Sequence, residues 1–492
     1  MILFFVVYYF RNDLTSFCYS YHNFNAGNAP PMKKLFVITC IVVACFSFTT
    51  IIHFHNSEDK PVFIPASKQR DGDRNQGYIY LTTGDYLKSG IPINYFKLGF
   101  GKSSVNFLQR DGLNREIPYE YTAVRAPNGE VVVAPNCLQC HAQVFDGKLY
   151  IGLGNTTIDF TNNQKLDPKV AISAEKVLKN LDPEKYEAAE PFLKVVKSIG
   201  SQLHTNVRGV NAADRLAALL ASHRDRNTFR WNDSAMLEIP DEVIPTDVPA
   251  WWLLKKKNAM FYTGFGRGDF SRFLMASNLL TVNDTAESRE VDSHFNDVLA
   301  YIYSLKPPPY PYPVNKDLAK KGGILYVKNC SKCHGNYGTQ DEYPNLLIPE
   351  SIIQTDSLLF TSNYQSAQFI DWFNNSWFAQ GDHPARLEPF NGYIAPPLDG
   401  IWITAPYLHN GSVPTLEALL DSKTRPKYWS RDFDNPQYDY KKIGWKYEVQ
   451  DFPGGTTVYN TDLPGYGNYG HRFGDKLTDA ERKAIIEYLK TL

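Results

Sequence analysis

Cys137-Leu138-Gln139-Cys140-His141 and Cys330-Ser331-Lys332-Cys333-His334 decide how this chain is read, because both are Cys-x-x-Cys-His. Two thiols one helical turn apart, with an imidazole next in line, suit covalent attachment of a porphyrin through its vinyl groups and axial ligation of its iron. The sequence therefore predicts two haem c groups. Cys137, Cys140, Cys330 and Cys333 would form the thioethers, and His141 and His334 would be the proximal iron ligands. A zinc site would want further Cys or His close by, and a thioredoxin-type pair would want a βαβ setting. The remaining cysteines, Cys18, Cys40 and Cys45, all fall near the N-terminus, which leaves none for a disulfide framework.

Working outward, each motif is followed at a distance by an amphipathic helix. Over Ser293 to Leu305, the side chains of Phe295, Val298, Leu299, Ile302 and Leu305 share one stripe. Thr478-x-x-Glu481 offers a capping box, after which Ile485, Tyr488, Leu489 and Leu492 repeat the pattern. "VLAYIYSLKPPP" and "IIEYLKTL" read as two versions of one closing helix. The expectation is a mainly α chain of two cytochrome c-like domains with long loops, each binding one covalent haem c. The first, enlarged, spans 60–306 and the second 315–492, with the proline-rich stretch 307–314 as linker.

Composition agrees with long shaped loops, since the 492 residues include 31 Pro and 32 Gly. The formal net charge of -1 gives no reason to expect nucleic acid as a partner. Residues 1–31 read as a non-structural extension. Met32-Lys33-Lys34 and the apolar run Leu35 to Ala44 read as an export signal over 32–45. Val42-Val43-Ala44-Cys45 fits a lipoprotein cleavage site with Cys45 as the lipidated residue. A cleaved secretory signal and an uncleaved anchor running to Ile52 are the alternatives. Each places the bulk of the chain in the periplasm or tethered to the outer membrane, touching membrane only through a lipid or an N-terminal anchor.

The group on the far side of each iron separates carriers from catalysts. The methionines are 1, 32, 236, 260 and 275, so the second half offers none. Its candidates are His383, His409, His471 or a tyrosine. His471 closes the glycine-rich run Gly465-Tyr466-Gly467-Asn468-Tyr469-Gly470, a backbone able to approach a porphyrin closely, and is the first choice. His409, in Thr404-Ala405-Pro406-Tyr407-Leu408-His409-Asn410-Gly411, is the rival, with loop-holding or lining of the space between haems as its other roles. For the first haem, His204, His223, His294, Met236, Met260 and Met275 are available by type, yet none sits in a ligand context. An open first haem is the expectation.

Three segments carry a resemblance. "APPLDGIWITAPYLHNGSVPTLEALL" (Ala395 to Leu420) resembles the stretch after the second haem in the bacterial di-haem cytochrome c peroxidase superfamily. That superfamily includes the maturation enzyme of methylamine dehydrogenase and the di-haem rubber oxygenases. "DVPAWWLLKKKNAMFYTGFGRGDFSRFLM" and "LPGYGNYGHRFG" look closest to the rubber-oxygenase branch, as does the 193-residue step from Cys137 to Cys330. The resemblance covers roughly residues 75–492. It implies His141 and His334 as proximal ligands and His471 as the distal ligand of the second haem. Trp251 and Trp252 match aromatic residues near the first haem or between the two, and His409 belongs to the loop of the matched stretch.

The function expected is an exported di-haem oxidoreductase. The first haem would activate peroxide or dioxygen, and the second would store or relay electrons from an external donor. A non-catalytic electron-transfer cytochrome with both irons six-coordinate is the alternative, and a gas-sensing module the third reading.

Overall fold

The computed structural model describes residues 60–161, 167–339 and 341–492. The extension 1–31, the export signal 32–45 and Cys18, Cys40 and Cys45 lie outside the described residues. In the first half, helix α1 (Arg74–Thr83) starts at Asp73, whose carboxylate accepts from the amides of Asn75 (2.7 Å) and Gln76 (3.0 Å). This satisfies donors that a helix start otherwise leaves open. Helix α2 (Leu138–His141) carries the first motif, and α3 (Thr285–Ser304) closes the half. It begins at Thr285, well before the Ser293 expected from the stripe. Asp284 accepts there from the amides of Ala286 (2.8 Å) and Glu287 (3.2 Å). Val291, Phe295, Val298, Leu299 and Ile302 are at most 2% exposed, so the stripe faces the core. Leu305 lies one residue past the helix, wedged against both major cores.

The second half repeats this plan. Helix α4 (Lys316–Asn329) leads into α5 (Ser331–His334), which carries the second motif, and α6 (Asp479–Leu489) closes the chain. The capping box forms, with Thr478 accepting from the Glu481 amide and Glu481 from the Thr478 amide. In each half the first helix crosses the last through a glycine. A β-carbon on Gly77 would lie 1.9 Å from the Asp297 carbonyl oxygen, and one on Gly322 would lie 1.9 Å from that of Ala484. α1 can rest on α3, and α4 on α6, only because those positions lack a side chain.

The expectation of a mainly α chain is corrected: the structure is mixed, 40% helical and 13% strand. Short antiparallel pairs take up much of what was expected as loop. Tyr121–Arg125 and Val131–Pro135, rich in β-branched residues, form a hairpin ahead of the first motif, and Ala142–Phe145 pairs with Lys148–Ile151 behind it. Two pairings join the halves. Val62–Phe63 lies along Leu346–Pro349, and Gly266–Gly268 along Ala385–Leu387. Residues Lys60–Leu492 form one compact unit. Within it the proline-rich stretch lies against the second half, where Trp402 donates to Pro308 and Tyr310 to Tyr440 (2.8 Å each). Among the described residues no helix is long and apolar enough to cross a membrane.

Candidate functional site

Around the first motif the chain folds back on itself in three steps. Asn136 accepts from the Leu138 amide (2.9 Å) and so starts the turn, and the His141 amide returns to Cys137 O (3.0 Å). Gly152 then donates to His141 O (2.7 Å) and Trp251 to Gly152 O (2.8 Å). That ladder lays the Trp251 indole on the His141 imidazole, with ring centres 4.4 Å apart and planes at 17°. Nδ1 of His141 is buried without a hydrogen-bond partner, and burial pushes the imidazole pKa down to about 3.

The second motif is held differently. Helix α4 runs directly into it, Cys330 donating to Tyr326 O (2.8 Å) and His334 to Cys330 O (3.0 Å). Nδ1 of His334 lies 2.8 Å from Pro396 O, so it carries the proton and leaves Nε2 as the ligating nitrogen. His471 faces it, ring centres 6.1 Å apart and planes at 65°. Two imidazoles bound to opposite sides of one metal at about 2.0–2.1 Å place their centres about 6–6.5 Å apart, so this pair fits a shared iron. His471 reaches that position with a left-handed φ of +44°. Its amide donates to Ile353 O (2.8 Å), and Arg425 holds the loop by donating to the carbonyls of Asn468 (2.7 Å), Gly470 (2.7 Å) and His471 (3.1 Å). Burial, with the nearby His334 and Arg425, pushes the His471 pKa down to about 3.

None of the four motif cysteines is in a disulfide, and burial raises the pKa of each thiol, to about 11 for Cys140 and Cys330. Two thiols beside an imidazole are the donor set for a thioether-bound, imidazole-ligated porphyrin. The donor sets of both motifs therefore suit haem c.

Trp251 and Trp252 are neighbours in sequence that pack into different cores. Trp251 sits in the core that contains Phe295 and Phe373, and Trp252 in that containing Trp402, Tyr438 and Trp445. The Trp252 indole donates to Asp399 O (2.8 Å), three residues after the Pro396 carbonyl that accepts from His334. The contacts His141–Trp251, Trp252–Asp399 and His334–Pro396 are thus joined by the backbone between Trp251 and Trp252 and between Pro396 and Asp399.

His409 is engaged elsewhere. It stacks on Tyr393 at 4.3 Å, with Nε2 3.1 Å from a Tyr393 hydroxyl that donates to Asp356 O (2.7 Å). It is 6% exposed, and burial lowers its pKa to about 3. Of the residues considered for the far side of the first haem, His204 and Met236 are exposed and three others have other contacts. His294 stacks on Tyr80, His223 on Trp231, and Met275 is buried in the core.

Sequence reasoning missed Asp247, which accepts from the Tyr262 hydroxyl (2.9 Å) and is raised by burial to about 7, with Tyr262 and Arg431 working against the rise. It also missed Arg425, Pro396 and Asp399. Asp247 opens "DVPAWW", and Pro396 and Asp399 lie within "APPLDG", whereas no quoted string contains Arg425.

A family model described as RoxA-like, cytochrome c-like matches residues 392–430. That stretch holds Pro396, Asp399 and the His409–Tyr393 pair, and the match supports a RoxA-like cytochrome c with covalently bound haem c. Two proteins of Sinorhizobium fredii (strain NBRC 101917 / NGR234) are similar to the chain. The uncharacterized protein y4iM is 28% identical over 306 residues, covering 55% of this chain and 69% of its own length. The uncharacterized protein y4iJ is 45% identical over 111 residues, which is 20% of this chain and 18% of that protein.

Proposed function

We propose that the chain is an exported di-haem c oxidoreductase in which the two motifs hold irons of different coordination. Cys137, Cys140 and His141 would hold the first haem, open on its far side. Cys330, Cys333 and His334 would hold the second, closed by His471. An open haem iron supplies binding and activation of dioxygen or peroxide, and one saturated by two imidazoles supplies electron storage. The chain's own contribution is placement. Pro396 orients His334, Arg425 and Ile353 hold His471 in reach, and Trp251 keeps the His141 ring in plane by stacking. Trp251 and Trp252 together offer a route for electrons between the sites, and electrons would enter from an external donor.

The observation that carries this reading is the 6.1 Å separation of His334 and His471, set against a His141 ring whose stacking partner is an indole. Hydrogen peroxide supplied to the purified holoprotein with ferrocyanide as donor tests it, alongside an oxygen-consumption assay. Turnover that disappears in a Cys137→Ala/Cys140→Ala variant is expected. No turnover in the oxidised, half-reduced or reduced protein would instead favour an electron-transfer cytochrome.

A further inference from the structure

Arg431 carries a buried charge for which the protein supplies only part of an environment. The residue is 8% exposed and follows the strand Tyr428–Ser430. Its Nη2 donates to Thr156 O, while Nη1 is buried without a hydrogen-bond partner. The guanidinium lies over the rings of Phe433 (4.5 Å) and Trp445 (4.4 Å). Among the described residues no carboxylate lies within ion-pair distance of it, although Asp247 is near enough to attract it. Arg208 approaches the same Phe433 ring (4.7 Å) and is itself paired, its Nε 3.9 Å from Asp159 and its Nη1 3.6 Å from Asp434. Between the two arginines lies a recess of about 280 Å³ lined by Gly209, Pro406 and Gly411 among others.

The surroundings tie this recess to the first motif. Thr156, which accepts from Arg431, donates its amide to Gln143 (3.0 Å), two residues beyond His141. The neighbouring Asn155 amide donates to Cys140 O (2.8 Å). The Gly209 amide donates to Ile158 O (2.9 Å) on the same segment. Arg431 therefore reaches across from the second half onto the chain that wraps Cys140. A buried guanidinium whose Nη1 lacks an acceptor is unfavourable unless a hydrogen-bonding anion meets it. A guanidinium fork matches a carboxylate or a phosphate, because two N–H groups meet two oxygens, and of these a haem supplies the carboxylate.

We infer that the Arg431 recess is a carboxylate site, filled by a propionate of the haem attached at Cys137 and Cys140. This rests on the two-haem reading above. The arginine would then clamp the second half to the first cofactor and place a positive charge beside it, which favours the reduced state.

The test is a potentiometric titration of the holoprotein and its Arg431→Gln and Arg431→Lys variants, followed by visible absorbance. Haem content is counted first by pyridine haemochrome and mass. The first haem's wave is identified as the one missing in Cys137→Ala/Cys140→Ala. Expected are two haems in every Arg431 variant, a lowered midpoint for the first haem in Arg431→Gln, a smaller drop in Arg431→Lys, and an unmoved second wave. A parallel arm measures the wild type's melting temperature against acetate at constant ionic strength, with chloride as control. An acetate response that Arg431→Gln abolishes, with both potentials unmoved, would assign the site to a free carboxylate instead. Unmoved potentials without an acetate response would overturn the proposal. A wild-type protein with a single haem, at Cys330, would overturn the two-haem reading together with the propionate assignment, and the haem count alone identifies that outcome.

Discussion

His334 and His141 end the same five-residue motif, yet their rings live in different surroundings. His334 donates through Nδ1 to the Pro396 carbonyl and faces a second imidazole 6.1 Å away. His141 has its Nδ1 buried without an acceptor and an indole laid against its face. A ring N–H bonded to a carbonyl fixes the tautomer and raises the basicity of the ligating nitrogen. Stacking of aromatic rings, worth about 0.5–1.5 kcal/mol, fixes only the ring plane. The motif therefore sets what is attached, and the residues that arrive later in the chain set how strongly each imidazole would hold an iron. On the proposed reading, His334 is the stronger ligand and His141 the weaker one, in keeping with a closed and an open site.

The largest way to break this contrast is His471→Ala. It should turn the second haem from low-spin to high-spin, so that both sites resemble the first in the absorbance and paramagnetic resonance spectra. His409→Ala should leave the spin state alone, because that ring is occupied by Tyr393. If His409→Ala changes it and His471→Ala does not, the two histidines have been assigned the wrong way round.

Acid sharpens the same distinction. His409 has its pKa pushed from 6.5 down to about 3 in the folded protein. A depressed pKa contributes stability above the unfolded value, lost as pH falls from about 6.5 toward 3. The upper limit is roughly 4–5 kcal/mol. Urea midpoints of the holoprotein should fall across that window, and His409→Gln should flatten the fall without moving the spin state. A midpoint equally pH-dependent in the variant would show that other groups carry the effect.

The scaffolds, unlike the sites, should behave alike. Gly77→Ala and Gly322→Ala each press a methyl group into a facing backbone carbonyl, and overpacking of this kind costs about 1–3 kcal/mol. Similar losses in thermal stability are expected from both. The smallest effect concerns the connection between the sites. Trp252→Phe removes the hydrogen bond to Asp399 and should slow electron exchange severalfold while both haems stay bound. Unchanged exchange after flash reduction would remove Trp252 from the route.

How much of this could be read in advance follows from the range of the forces involved. The closing helices were legible because a capping box and an apolar stripe are local, as Thr478, Glu481 and the buried Phe295 to Ile302 stripe illustrate. The strands were not, because Gly266–Gly268 finds its partner only at Ala385–Leu387, and neither string is long or β-branched enough to announce itself. His471 stood out by its glycine-rich loop, but nothing nearby revealed that Arg425 and Ile353 would hold it in place. The tandem tryptophans were visible as a pair. Their division between two cores depends on Gly152 and Asp399, each distant in sequence.

The central claim, one open and one closed iron in a single chain, is tested most directly by the electron paramagnetic resonance spectrum of the fully oxidised holoprotein at low temperature. The account predicts a high-spin and a low-spin ferric signal of equal intensity, the high-spin one removed by Cys137→Ala/Cys140→Ala. Two low-spin signals, or a high-spin signal that persists in that variant, would contradict it.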